Sequence, residues 1–195
     1  MNTLKSKGYL LINNAINKSD IINAQNNIGK KTVNYRRIEN FNKLVFDRIN
    51  EILKLNLKCS KYRVSNNNNS TDAGQFHRDL KIVNKKYMNN ANYPIFTVVT
   101  YLDKSIMEII PYSHKNYSMN IIDSMINFMK SVKITVNPGD ILIFYSSIIH
   151  RGIFTLKNNN RRIIQNFGCI PVNEYKYYNI FGGIPFVVQS HGVSK

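Results

Sequence analysis

The sequence has 195 residues, 43% of them apolar, and a formal net charge of +16 from 27 Lys and Arg against 11 Asp and Glu. This composition excludes a disordered chain, and a single domain of this length buries on the order of 70% of its unfolded surface without help from a metal or disulfide. The charge would attract phosphates or nucleic acid, but abundant Lys, Asn and Ile also typify A/T-rich genomes, so nucleic acid is not the favoured partner.

The cysteines and the N-terminus bear on the compartment. Cys59 and Cys169 are far apart in the sequence and form no CxxC pair, so they suggest neither a disulfide framework nor a zinc ribbon. The first residues lack the apolar run of a signal peptide, and no stretch approaches the about 18 apolar residues of a membrane span. We therefore expect a soluble cytoplasmic protein in a reducing compartment, without membrane contact.

The N-terminal part, about residues 1–57, is predicted to carry the helices. Residues 8–16, "GYLLINNAI", are typical of a short strand, and "IINAQNNI" after them predicts a helix with Ser19 as N-cap. From about residue 37 to 53, apolar residues recur at helical spacing and predict an amphipathic helix. They are Ile38, Phe41, Leu44, Val45, Ile49 and Ile52.

The pattern changes in residues 58–172, where short β-branched and aromatic runs alternate with turn residues. One interruption, "NIIDSMINFMK" at 120–130, predicts a helix. Helices followed by many short strands, without strand-helix alternation, favour a mainly β fold with flanking helices: a sandwich, jelly roll or barrel. Residues 173–195 are interpreted as an irregular C-terminal extension of the same domain.

The stretch "GQFHRDL" at 74–80 contains two potential metal ligands. Alternate residues of a strand point to the same side, so His77 and Asp79 would converge while Arg78 points out of the barrel. His150 ends the apolar strand that follows the turn "NPGD". In an antiparallel jelly roll this third ligand can lie across from the first two.

Two imidazoles and one carboxylate on one face form the facial triad that binds Fe(II) and leaves positions open for other ligands. Zinc accepts similar ligands. Iron is favoured by Arg161, at the start of a further apolar strand, because a guanidinium fixed there can bind the distal carboxylate of 2-oxoglutarate bidentately. Arg162 is the alternative, since strand register decides which of the two faces inward.

The ordered set of segments resembles the phytanoyl-CoA dioxygenase-like family of Fe(II)/2-oxoglutarate-dependent oxygenases over about residues 7–170. The similar segments are "KGYLLINNAINKSDII", "FHRD", "VTYLDKSIMEIIPYSHK", "NPGDILIFYSSIIHRG" and "RRII". They match, in order, the opening strand and helix, the HxD motif, the strand leading to the serine-histidine-lysine signature, the strand ending in the distal histidine, and the 2-oxoglutarate arginine. The resemblance implies a double-stranded β-helix core, jelly-roll or cupin-like.

The resemblance also implies roles for individual residues. His77, Asp79 and His150 match the Fe(II) ligands, and Arg161 matches the residue that binds 2-oxoglutarate, with O2 as the other co-substrate. Halogenating relatives have a small residue at the position of Asp79, so hydroxylation of a small-molecule or anionic substrate is implied. In the signature, Ser113 and His114 are interpreted as structural support, and no catalytic residue beyond the ligands is predicted.

Two other functions stay open. A nucleic-acid oxygenase of the AlkB type would explain the charge, but it is expected to have a second arginine several residues after the first and an Asn-x-Tyr segment before HxD, and neither is present. A non-catalytic basic structural or nucleic-acid-binding protein that retains an oxygenase fold is the other alternative. Arg78 and Arg151 are interpreted as solvated charges, and His191 as a packed or exposed side chain.

Overall fold

The computed structural model describes residues 2–29, 32–66, 74–79, 94–115, 130–153 and 162–174. Its elements are α1 (Asn2–Lys7), β1 (Tyr9–Ile12), α2 (Lys18–Asn26), α3 (Tyr35–Leu53), β2 (Leu57–Lys58), β3 (Lys61–Asn66), β4 (Phe96–Tyr101), β5 (Ser105–Ile109), β6 (Val132–Val136), β7 (Ile141–Tyr145), β8 (His150–Ile153) and β9 (Arg162–Pro171). The helices precede nearly all of the strands, as the sequence predicts.

Helix α3 forms where the apolar periodicity predicts it and begins slightly earlier, at Tyr35. The side chain of Asn34 accepts a hydrogen bond from the Arg37 amide, which satisfies one of the N–H groups that the first turn leaves unpaired. The chain leaves the helix through Lys54 in the left-handed conformation, with φ of 55°. The buried face of the helix packs on the larger of two sheets.

Helix α2 begins at Lys18, and its N-cap is Asn17, so the prediction of Ser19 as the cap is wrong. The Asn17 Oδ1 atom accepts hydrogen bonds from the Asp20 amide (2.9 Å) and from the Ser19 hydroxyl (2.7 Å). The Ser19 side chain therefore supports the cap and does not form it. The short helix α1 was not predicted, because Leu4 is the one apolar residue in "NTLKSK".

Two antiparallel sheets face each other. The larger has the order β1-β7-β4-β9, and β9 continues to both β2 and β3; the smaller has the order β6-β5-β8. A bridge between His77 and His150 adds residues 74–79 beside β8. Neighbouring strands are thus distant in sequence, as in a jelly roll.

The core has two layers, one on each face of the larger sheet. The layer next to the helices contains Ile38, Val45, Ile49, Val64, Val98, Ile143 and Ile164, among others. The layer between the sheets contains Val99, Tyr101, Met107, Ile109, Val136, Leu142, Phe144 and Ile148. Because both faces are covered, every residue of β4 and β7 is buried, which explains why these strands show continuous apolar runs instead of alternation.

Cys59 and Cys169 form a disulfide, which their spacing in the sequence did not suggest. They are 110 positions apart in sequence, but their Cα atoms are 3.9 Å apart. Strands β2 and β3, which precede and follow Cys59 in the chain, both pair with β9 on its side away from β4, and this brings Cys59 next to Cys169. Cysteine spacing cannot reveal this contact, and the argument for a reducing compartment loses its basis.

Some predicted features lie outside the described residues. These are nearly all of the helix at 120–130, most of the extension at 173–195, and His191. In the part of the chain that is described, none of the helices is long and apolar enough to cross a membrane.

Candidate metal centre

The three predicted metal ligands meet where residues 74–79 run beside β8. The backbones of His77 and His150 exchange two hydrogen bonds of 3.0 Å, so the residues are directly opposite, and their ring centroids are 4.5 Å apart. Asp79, two positions after His77, points to the same side. The structure therefore brings together the residues that the i, i+2 spacing and the strand end selected.

The ligand atoms surround one point. Nε2 of His77 is 3.6 Å from Oδ1 of Asp79, and Nε2 of His150 is 3.6 Å from Oδ2. All three side chains offer a ligand atom within 4.8 Å of the others. Only 2% of the His150 side chain and 7% of the Asp79 side chain are exposed, against 52% for His77, so the centre opens to solvent on the His77 side.

Both imidazoles are held by their Nδ1 atoms. Nδ1 of His77 is 2.8 Å from the Gln75 carbonyl oxygen, and Nδ1 of His150 is 3.1 Å from that of Ile148. A carbonyl oxygen only accepts, so this network assigns the proton of each neutral ring to Nδ1 and leaves the Nε2 lone pair for a metal. Such a contact also fixes the orientation of the ring.

Burial and the interactions among the three predicted ligands shift their pKa values. Burial lowers the pKa of His150, so the ring is neutral at neutral pH. Burial opposes ionisation of Asp79, but the interactions with His150, His77 and Thr97 outweigh it and lower the pKa of the carboxyl. The adjacent Asp79 carboxylate is the largest influence on His77 and raises the pKa of its ring. The site thus contains a stable carboxylate next to two imidazoles.

Asp79 is fixed by a residue that the sequence did not single out. The Thr97 hydroxyl donates a 2.8 Å hydrogen bond to Oδ2 of Asp79, and it lies 3.0 Å from the Ser146 hydroxyl. Thr97 lies in β4 and Ser146 comes directly after β7, and both residues are buried. The carboxylate is therefore anchored to β4, with Oδ1 left for a metal.

Arg78 does not point into solvent, contrary to the prediction. It is half-buried, and its Nη1 atom donates to the carbonyl oxygens of Ser113, at 3.0 Å, and Ser147. Alternation places Arg78 on the side away from His77, but that side is covered by the turns containing Ser113 and Ser147. Arg78 therefore ties the HxD segment to the turn before His150.

The turn Ser113–Lys115 supports the loop that leads to His150. The Ser113 hydroxyl accepts a 2.8 Å hydrogen bond from the Ile149 amide. His114 is buried, stacks on Tyr145 with centroids 4.7 Å apart, and has its Nε2 atom 3.2 Å from the Lys5 carbonyl oxygen. These contacts agree with the interpretation of Ser113 and His114 as structural.

Arg151 is not a solvated charge either. Its Nε atom donates a 2.7 Å hydrogen bond to the buried carboxylate of Glu108, and its guanidinium lies over the Phe76 ring, 4.4 Å from the centroid. Burial opposes ionisation of Glu108, but the Ser131 hydroxyl and Arg151 lower the pKa of its carboxyl. Since Arg151 follows His150, this group lies on the opposite face of the small sheet.

The structure describes only one of the two arginines that were predicted to bind 2-oxoglutarate. Arg161 lies outside the described residues. Arg162 donates from Nη2 and Nε to the two carboxylate oxygens of Asp103, at 2.6 and 2.9 Å, and from Nη1 to the Gln25 carbonyl oxygen in α2. The hydrogen bond to Asp103 is the largest influence on Arg162 and raises its pKa. Arg162 thus already binds a carboxylate of this chain, on the helix side of the larger sheet.

Arg63 is a further functional candidate that sequence reasoning missed. Its Nη2 atom donates a 2.7 Å hydrogen bond to the side-chain oxygen of Gln165, and both side chains lie on the face of the larger sheet that looks towards the smaller one. The signal was present in "KYRVS", where Arg63 alternates with Tyr62 and Val64. Without the strand order, however, it could not be placed near the triad.

Comparison with known proteins identifies the fold. Neither a protein-family model nor a curated protein matches the sequence. Solved structures do: SnoN, a non-heme alpha-ketoglutarate-dependent epimerase from nogalamycin biosynthesis, has a TM-score of 0.61 and 12% identity over 85% of this chain and 77% of its own. The chain has the fold of such enzymes.

Two further structures agree with that fold. HygX from Streptomyces hygroscopicus, with nickel and 2-oxoglutarate bound, has a TM-score of 0.63 and 14% identity over 87% of this chain and 84% of its own. AviO1 from Streptomyces viridochromogenes Tue57 has a TM-score of 0.63 and 11% identity over 85% and 92%. The predicted jelly-roll fold is confirmed, whereas the narrower resemblance to phytanoyl-CoA dioxygenases stays a prediction.

Proposed function

We propose that the protein is an Fe(II)- and 2-oxoglutarate-dependent dioxygenase that hydroxylates a small-molecule or anionic substrate. The proposal rests on the convergence of His77, Asp79 and His150. Two imidazole nitrogens and one carboxylate oxygen, with no fourth side-chain ligand among the described residues, are the donor set of non-haem Fe(II) oxygenases. Zinc would accept the same atoms; the likeness to SnoN and HygX favours iron with 2-oxoglutarate.

The chain's own residues would each do a defined part. His150 and Asp79 would hold the ion on its buried side, and the exposed side at His77 would admit the co-substrates. Bound iron and 2-oxoglutarate would supply the oxygen chemistry, while the protein supplies binding and orientation. The buried Thr97 would keep Asp79 in position through Oδ2.

We assign the distal carboxylate of 2-oxoglutarate to Arg161. Successive side chains of a strand point to opposite faces of the sheet. Arg162 points to the helix side, where its guanidinium forms an ion pair with Asp103. The preceding arginine would then face the space between the sheets. The ion pair of Arg162 with Asp103 therefore supports Arg161 over Arg162 as the 2-oxoglutarate residue.

Hydroxylation of a small molecule is supported by two observations. SnoN has been solved with Fe3+, alpha-ketoglutarate and nogalamycin RO, and HygX with nickel, 2-oxoglutarate and hygromycin B, so this fold accommodates small-molecule ligands. Asp79 occupies the third ligand position, which leaves no vacancy for a halide, and the basic charge would suit an anionic substrate.

An anaerobic titration tests the proposal. Fe(II) and 2-oxoglutarate added to the wild-type protein should produce the weak visible charge-transfer band of the chelate, and oxygen should then yield succinate. Asp79→Ala and His150→Ala should lose the band while circular dichroism stays unchanged, and Arg36→Gln on the exposed face of α3 is the control. Stoichiometric iron binding by the Asp79→Ala/His150→Ala double variant, or salt-dependent nucleic-acid binding without any succinate, would contradict the proposal.

A further inference from the structure

Arg63 points into the space between the two sheets. It is paired with Gln165 across β3 and β9, and Gln165 is in turn paired with Val99 across β9 and β4. Residues directly opposite on neighbouring strands share a face, and Val99 belongs to the apolar layer between the sheets. The adjacent Val64 lies in the layer next to the helices.

The position of Arg63 along the sheet relates it to the metal centre. Thr97, which holds Asp79, is two residues before Val99 on β4, a displacement of roughly 7 Å along the strand. Arg63 is also two strands away from Val99, roughly 10 Å across the sheet, so a five-carbon diacid chelated at the triad and the long Arg63 side chain would together span the separation.

Arg63 differs from two other half-buried strand arginines in its partners. Arg151 is paired with Glu108 and Arg162 with Asp103, whereas none of the ion pairs among the described residues includes Arg63. Its hydrogen-bond acceptor is a neutral amide oxygen, and its Nε atom is buried without a hydrogen-bond partner.

An anion would complete this arrangement. Withdrawing a guanidinium from water is costly unless its donors are used and its charge is balanced. The ring of Phe167, 5.6 Å from the guanidinium, offers a cation–π contact but no negative charge. The unused donors are those of a planar fork, which matches a carboxylate better than a single point of charge would.

We propose that Arg63, oriented by Gln165, binds a carboxylate of 2-oxoglutarate in the space between the sheets. The proposal rests on the proposed function and extends it. It adds to the predicted Arg161 a second cationic residue, which belongs to β3, the strand paired with β9. In this arrangement Arg63 is a binding residue for the co-substrate and takes no part in holding the metal.

Binding of 2-oxoglutarate to the Ni(II)-loaded protein tests this without turnover. Isothermal titration should show an affinity about 10- to 100-fold weaker for Arg63→Gln than for the wild type, the usual effect of losing hydrogen bonds to a charged group. Arg63→Lys keeps the charge without the fork and should be intermediate. Arg36→Gln, the exposed control, should match the wild type, and none of the variants should bind Ni(II) more weakly.

A second ligand identifies the carboxylate. 2-Oxobutanoate has the keto acid end of 2-oxoglutarate but no distal carboxylate. Arg63→Gln should bind it normally if Arg63 holds the distal end, and should bind both ligands weakly if it holds the keto acid end; either result supports the inference. Equal 2-oxoglutarate affinity in wild type and Arg63→Gln would overturn it. Failure of the proposed function is distinct, since the Ni(II)-loaded wild type would then bind no 2-oxoglutarate.

Discussion

Thr97 and Asp79 are joined by a 2.8 Å hydrogen bond from the threonine hydroxyl to the carboxylate oxygen Oδ2. Thr97 is fully buried in the larger sheet, whereas Asp79 belongs to residues 74–79, which among the described residues pair with β8 through the His77–His150 bridge and one hydrogen bond from the Gly74 amide to the Gly152 carbonyl oxygen. The bond therefore transfers the rigidity of the sheet to one metal ligand.

Thr97→Val should weaken metal binding. Valine keeps the shape of threonine but removes the donor, so Asp79 is no longer oriented, and loss of such a supporting contact costs about 10- to 100-fold in metal affinity. Thr97→Ser keeps the hydroxyl and should restore most of it. Titration with Ni(II) measures the effect, with the exposed Thr135→Val as the matched control; wild-type affinity in Thr97→Val would contradict the role.

Substitution of Arg161 should affect 2-oxoglutarate binding, whereas substitution of Arg162 should affect the stability of the fold. Arg161→Gln should lower 2-oxoglutarate affinity at least about tenfold, because a charge-assisted contact is lost, and should leave the unfolding midpoint nearly unchanged. Arg162→Gln should leave that affinity intact but lower the free energy of unfolding by about 1–3 kcal/mol, because Asp103 loses its half-buried partner. Ligand titration and urea unfolding of both variants provide the check, and the opposite pattern would assign the co-substrate to Arg162.

Arg78→Ala should destabilise the protein, in contrast to what strand alternation alone predicted. It removes the donor to the carbonyl oxygens of Ser113 and Ser147, and a buried acceptor left without a partner costs about 1–3 kcal/mol. Urea unfolding should show the loss. Arg48→Ala, which breaks an exposed ion pair with Glu51 on α3, should cost less than about 1 kcal/mol; equal midpoints for the two variants would refute the structural role of Arg78.

The sequence predicts features that depend on residues close together in the chain better than features that depend on which strands pair. Local signals succeeded: apolar periodicity located α3, and the i, i+2 spacing aligned His77 with Asp79. Features that depend on which strands become neighbours did not. The disulfide exists because β9 pairs with strands on both sides of Cys59.

The same limit applies around the metal centre. "FTVVTY" is buried on both faces, so no alternation marks Thr97 as facing Asp79. Arg63 is a charged residue within a strand, but only the register with Gln165 and Val99 shows which space it enters. For Arg78, alternation gave the correct side of the segment but not what covers that side.

The disulfide between Cys59 and Cys169 should contribute substantially to stability. It closes a loop of 110 positions. In the chain-entropy model a cross-link that closes a loop of this length lowers the entropy of the unfolded chain and raises the free energy of unfolding by up to about 5 kcal/mol. Cys59→Ala/Cys169→Ala should therefore unfold at lower urea, and a reductant should lower the midpoint of the wild type but not that of the variant. Two free thiols after alkylation of denatured, unreduced protein would contradict the pairing.

His114 should give the fold a pH dependence of definite sign. Burial lowers the pKa of its ring, so below the unfolded value of about 6.5 the unfolded chain binds a proton that the folded protein resists. Its contribution to the free energy of unfolding is complete above that pH and is lost as the pH falls below it, by at most about 1.4 kcal/mol per unit. His114→Phe keeps the stacking on Tyr145 but not the titration. Urea unfolding between pH 7.5 and about 5 should give a shallower dependence for this variant, whereas parallel curves would show that folding does not shift the pKa of the His114 ring.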